Sequence, residues 1–104
     1  MNYSSFIVKI INDPIRSQFK DNIPVVEMMV KFSVVRQTKT IQNLRVLVWG
    51  SLAEDIVKYY NKNDYIIIEG YLRNISEPGM KDQVEISARK VYPFLRKNQY
   101  TSLN

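Results

Sequence analysis

Hydrophobic and polar residues alternate with period two along most of this chain, and the alternation breaks at a few sharply marked places. The clearest run is Val25 to Arg36, where Val26, Met28, Val30, Phe32 and Val34 interleave with Glu27, Met29, Lys31, Ser33 and Val35. That is the period of a strand with one buried face. Before it lies an apolar segment, Tyr3 to Ile11, ended by Asn12-Asp13-Pro14, a strong turn signal. Arg16 to Asn22 then reads as a polar loop closing at Pro24. A third strand is expected from about Thr40 to Trp49, with Leu44, Val46 and Val48 on one face and Asn43, Arg45, Leu47 and Trp49 on the other.

Gly50 breaks this third run. Ser51-Leu-Ala-Glu54 has the form of a capping box. Leu52, Ile56, Val57 and Tyr60 recur at helical spacing, so a short amphipathic helix of about ten residues is expected, ended by Asn61-Lys-Asn-Asp64. Tyr59, Tyr60 and Tyr65 cluster around its end as candidate core caps. The fourth strand, Tyr65 to about Ile75, points Ile66, Ile68, Gly70 and Leu72 to one face. Glu77-Pro-Gly79 makes a turn. The fifth strand, Asp82 to Tyr92, directs Val84, Ile86 and Ala88 inward and Gln83, Glu85, Ser87 and Arg89 outward, and Pro93 stops it. Five strands with a helix between the third and fourth is the order of the OB fold, an all-β Greek-key barrel. The expected organisation is one domain over residues 1–93 and a flexible basic tail over 94–104.

Composition narrows the chemistry. The 104 residues contain neither cysteine nor histidine. Disulfides and zinc–cysteine sites are thereby excluded, and the commonest general base and commonest metal ligand are both missing. No convergent catalytic set is visible, so the expectation is a protein that is not an enzyme, with no catalytic residue, metal, cofactor or small-molecule substrate. Lys and Arg number 15 against 10 Asp and Glu, a net charge of +5, which suits a polyanionic partner. After Glu85 no acidic side chain follows, while Arg89, Lys90, Arg96 and Lys97 do. No apolar run approaches the ~20 residues of a membrane span, and no signal peptide is visible at the N-terminus. A soluble, intracellular protein without a membrane partner is expected.

Three stretches resemble the single-stranded DNA-binding protein family: Phe6-Ile-Val-Lys-Ile with Asp13-Pro14, then Val46 to Glu54, then Ile68-Glu-Gly-Tyr-Leu-Arg73. The likeness covers roughly residues 3 to 92 and is most similar to the short members of cyanobacteria and plastids. It implies an OB barrel that forms a homodimer or homotetramer and wraps single-stranded DNA in replication, recombination or repair, in the cytoplasm or the plastid stroma. Departures from the family pattern are plain. A glycine-rich linker and acidic tip usually end such chains, whereas this one ends on a basic stretch. The connection between the second and third strands is short, about Gln37-Thr-Lys-Thr40, and Asn43 stands where the third strand usually starts with an aromatic.

Single-strand binding needs a positive groove and π-faces for the bases. The outward face of strands two to five offers Lys31, Arg45, Trp49, Tyr71, Arg73 and Arg89, with Arg36 at a strand end beside them. Trp49 occupies a family aromatic position; filling an interface or lying under the helix is its competing role. Tyr71 competes between stacking and sheet packing, and Arg45 and Arg73 between phosphate contact and a solvated ladder with Glu27 or Glu69. With few stackers, charge should dominate. About four phosphate contacts would give a slope of log K on log salt near −3. RNA stays open as a ligand, because nothing here reads a 2′-hydroxyl. Two alternatives stay open as well: a protein-interaction OB module, and a primosome accessory protein with weak or lost strand binding.

Overall fold

The computed structural model describes residues 3–18, 22–32, 43–75, 78–79 and 83–95. Its strands are β1 (Tyr3–Ile10), β2 (Ile15–Gln18), β3 (Pro24–Phe32), β4 (Leu44–Trp49), β5 (Tyr65–Ile75) and β6 (Gln83–Leu95), with helix α1 (Ser51–Tyr59) between β4 and β5. The ladder runs β1-β5-β6-β4-β3-β2, and β1 also pairs with β3. That second pairing closes five strands into the expected OB barrel. Val8↔Phe32 and Ile10↔Val30 join β1 to β3, while Tyr3↔Tyr71 through Lys9↔Tyr65 join it to β5. Across the barrel, β4 and β6 run parallel with Arg45↔Glu85 and Leu47↔Ser87 in register.

The alternating faces become the core. Val8, Ile10, Val26, Met28, Val30, Val46, Val48, Ile66, Ile68 and Ile86 are all fully buried. Helix α1 plugs one end through Ala53 and Ile56, followed by the buried Tyr60. The inward stripe is therefore 53, 56 and 60, with Leu52 only half-buried. Val57 and Tyr59 point to solvent, contrary to the core roles expected of them, because the small Ala53 lets the helix dock on a stripe rotated away from both. Beyond the helix the buried Asp64 accepts the Asn61 amide at 2.8 Å, and its carbonyl accepts the Ile10 amide at 2.9 Å. The turn after α1 is thus tied to the end of β1.

Further expectations along the strands need correction. Residues 16–18 of the expected Arg16–Asn22 loop belong to a strand, while 19–21 lie outside the described residues. Strand β2 lies at the sheet edge against Pro24–Glu27, and its Ile15, Arg16 and Ser17 are all exposed, so no alternation marked it. Pro93 does not end the last strand. Pairing with β4 stops at Ser87, which leaves an edge of β6 open where a missing N–H is tolerated, and β6 continues through Phe94 to Leu95. Val84 faces solvent, because it pairs with Asn74 near the open end of the β5–β6 ribbon, and Glu85 is buried under arginines. Residues 96–104, which include Arg96 and Lys97, lie outside the described residues.

The capping box does not form either. Gly50 is the residue before the helix, at φ 73° and ψ −145°, a conformation suited to glycine. Ser51 is already helical and its hydroxyl makes no capping bond. Glu54 reaches sideways to Arg16 of β2 at 2.8 Å. Replacing a true N-cap serine with alanine costs about 1 kcal/mol. Ser51→Ala should therefore change stability by less than ~0.5 kcal/mol in chemical denaturation; a loss of a full N-cap's size would restore the box.

Candidate nucleic-acid interface

Strand alternation sets Glu27 and Met29 of β3, Arg45, Leu47 and Trp49 of β4, Tyr71 and Arg73 of β5, and Glu85 and Ser87 of β6 on the outer barrel face. Their chemistry divides into two groups.

The first group is an ion-paired quartet. Glu85 stands in register with Arg45 on one side and Arg73 on the other. Its carboxylate is only 4% exposed and lies 3.8 Å from Arg45 Nε and 3.7 Å from Arg73 Nη1. Arg45 Nε also pairs closely with the Glu27 carboxylate. Two guanidiniums and two carboxylates cancel in charge. The ladder with Glu27 expected as the alternative for Arg45 is present, and Glu85 rather than Glu69 is the partner of Arg73.

The second group is aromatic and cationic. Between Glu69 and Gly70 the β5–β6 register slips from Lys90 to Ala88, leaving Arg89 as the extra residue of a β-bulge. The bulge carries the Arg89 guanidinium over the Tyr71 ring, 5.4 Å from its centroid, a cation–π distance. Arg89 also lines an open hollow of about 410 Å³ with Trp49, Ser51, Leu52, Ser87 and Ala88. Trp49 is 39% exposed at the rim. Among the described residues no carboxylate lies within ion-pair distance of Arg89. The structure thus brings Trp49, Arg89 and Tyr71 onto one continuous strip.

Lys31 is exposed but stands apart, opposite Lys9 of β1. It lies six residues along β3 from Val25, the partner of Trp49, or about 20 Å at the rise of a strand. Arg36 lies outside the described residues.

Sequence reasoning missed Tyr3, whose ring meets Tyr71 edge-on with centroids 4.9 Å apart. Only the β1–β5 register, Tyr3↔Tyr71, could reveal that contact. Partial burial and then the Glu69 carboxylate, 3.3 Å from its hydroxyl, raise the phenol's pKa. Tyr92 and Phe94 are also exposed on β6; reading Pro93 as the strand end hid Phe94. Among the described residues no group of side chains is placed to hold a metal ion, and no helix is long and apolar enough to cross a membrane.

This barrel is similar to solved structures of the same architecture. It superposes on the crystal structure of an SSB domain from a Synechococcus protein with a TM-score of 0.73 at 29% identity, covering 88% of this chain and 94% of that one. The second single-stranded DNA-binding protein of Mycobacterium smegmatis gives a TM-score of 0.73 at 24% identity over 88% of this chain and 87% of that one, a likeness of fold. In sequence, the chain is 41% identical over 102 residues to the putative single-stranded DNA-binding protein ycf41 of Trieres chinensis, covering 91% of this chain and 90% of the relative. It is 32% identical over 96 residues to the thylakoid-associated single-stranded DNA-binding protein slr1034 of Synechocystis, covering 88% of this chain and 74% of the relative. The family model for single-strand binding proteins matches residues 1–94. Barrel, helix position and sequence agree: the chain belongs to the single-strand binding protein family.

Proposed function

We propose that this protein binds single-stranded DNA with little sequence preference, as a non-enzymatic partner in replication, recombination or repair in the cytoplasm or plastid stroma. The observation that carries this reading is the strip on which Arg89 lies over Tyr71 and shares a hollow with Trp49. Bases have π-faces whatever their identity, so stacking on Trp49 and Tyr71 is tolerant of sequence. Arg89 serves the backbone or a base plane; Lys31 adds charge farther along β3, and Arg73, 65% exposed beside Glu85, offers N–H groups to a phosphate without net charge from its quartet. A homodimer or homotetramer is part of the proposal. The exposed apolar residues Ile7, Tyr92 and Phe94 on β1 and β6 supply surface for a second copy, and light scattering measures the assembly.

Fluorescence anisotropy with labelled oligo-dT, oligo-rU and duplex DNA at several salt concentrations tests the reading. The expected result is binding to oligo-dT that exceeds binding to duplex, with a log–log salt slope between about −2 and −3 for three or four phosphate contacts. Comparable binding of oligo-rU would extend the ligand class to RNA. One observation favours a protein-interaction module instead: Arg45 and Arg73 are already engaged by carboxylates. Absence of single-strand binding at low salt would promote that alternative.

A further inference from the structure

We infer that Glu27 is an affinity-setting residue of this face: its carboxylate holds the Arg45 guanidinium in the free protein, and a phosphate of the bound strand takes its place. This rests on the reading of the face as a single-strand site and adds a residue that opposes binding.

The two acids of the quartet are not equivalent. Glu85 is sandwiched between Arg45 and Arg73, in register with both, and its carboxylate is 4% exposed. A buried carboxylate cannot leave two guanidiniums without a large desolvation cost, so Glu85 stays and orients both arginines. Glu27 approaches Arg45 from β3 on the diagonal, since its own cross-strand partner is Leu47 while Arg45 faces Met29. Its side chain is 43% exposed. Turning it into water breaks one solvent-screened pair and buries nothing.

The exchange is balanced in charge. A guanidinium presents several N–H groups in a planar fork that fits carboxylate and phosphate alike. When a phosphate oxygen replaces the Glu27 carboxylate, Arg45 keeps an anionic partner and Glu27 is rehydrated. Arg45 then contributes only the difference between two similar contacts. Its position makes the exchange reachable, because Arg45 lies four residues from Trp49 on the same side of β4, about 13 Å at the rise of a strand. A strand stacked on Trp49 and running along β4 passes over it.

Salt titrations of oligo-dT binding by the full chain test this. Glu27→Gln should tighten binding about three- to tenfold at low salt and steepen the log–log slope by about 0.7, the value of one added single-strand phosphate contact. Glu27→Asp keeps the charge but shortens the reach to Arg45, and should show part of the same gain. Asp55→Asn removes an equal charge from the exposed side of α1 and should leave the slope unchanged. In an Arg45→Gln background, Glu27→Gln should have no effect. A gain of equal size in Asp55→Asn, a gain that persists without Arg45, or no gain at all overturns the inference. If the unmodified chain binds normally in those cases, the proposed function stands; failure of the unmodified chain to bind at low salt overturns both.

Discussion

Gly70→Ala should be the most damaging single substitution in this barrel. A Cβ at position 70 would lie 2.2 Å from the Ser87 carbonyl oxygen and 3.0 Å from the Ala88 Cα. Both are backbone atoms of the strand paired beside it, so no side-chain rotation relieves the overlap. Nor does Gly70 owe its place to an unusual φ; only close approach demands glycine here. Forcing β5 and β6 apart breaks the ladder at its bulge, the point where the register slips from Lys90 to Ala88. The expected loss is about 3 kcal/mol or more, above the usual range for overpacking because the obstacle is main chain. Chemical denaturation measures it. A variant that melts like the unmodified protein would show that the bulge opens freely. The same substitution carries a functional signature, since the bulge is what holds Arg89 over Tyr71. Any Gly70→Ala protein that folds should therefore bind single strands more weakly.

Trp49→Ala should produce the largest loss of binding among substitutions that spare the fold. The ring is 39% exposed at the end of β4, beside the hollow that Arg89 lines. Removing one stacking platform costs about 1–3 kcal/mol, or roughly 5- to 150-fold in affinity. Arg89→Ala should cost less, because it removes one charge and one cation–π contact while leaving both rings in place. Trp49 is the single tryptophan of the chain, so its emission reports directly on stacking. Oligo-dT should quench the emission of the unmodified protein, and the midpoint of quenching should agree with anisotropy. Unchanged affinity in Trp49→Ala, with no quenching in the parent, would move the stacking site elsewhere on the barrel. The exposed Tyr92 and Phe94 would then be the next positions to replace.

How far each feature could be read along the chain depended on whether burial had written a pattern there. Val26, Met28 and Val30, or Ile66 and Ile68, repeat at period two because one strand face meets the core, and those strands were legible. Edge strand β2 has no such face, since Ile15, Arg16 and Ser17 are all exposed. Its residues therefore carry the polar pattern of a loop. Pro93 misled because a proline's effect on a strand depends on whether its missing N–H has a partner waiting, and β4 no longer lies beside β6 at that point. Ser51 and Glu54 matched a capping pattern in letters. Gly50 took the capping position, and Arg16 took Glu54.

The site follows the same division. Alternation alone put Arg45, Trp49, Tyr71, Arg73 and Arg89 on the outside of the barrel, since side-chain direction in a strand is a local property. Which of those cations remain available is not local. Arg45 and Arg73 are ion-paired with Glu85 from a strand some forty and twelve residues away along the chain, whereas Arg89 is swung by a bulge onto Tyr71. Period and the Gly50 break were enough to specify the barrel and its helix, because these depend on which residues seek burial and where the backbone must turn. The family was legible only as a resemblance, in stretches such as Val46 to Glu54 and Ile68 to Arg73. Closure of β1 on both β3 and β5, the pairing of acids with arginines, and the meeting of Tyr3, Tyr71, Arg89 and Trp49 were decided by strand register. Register is set by the mutual fit of all the strands at once, and no single segment carries it.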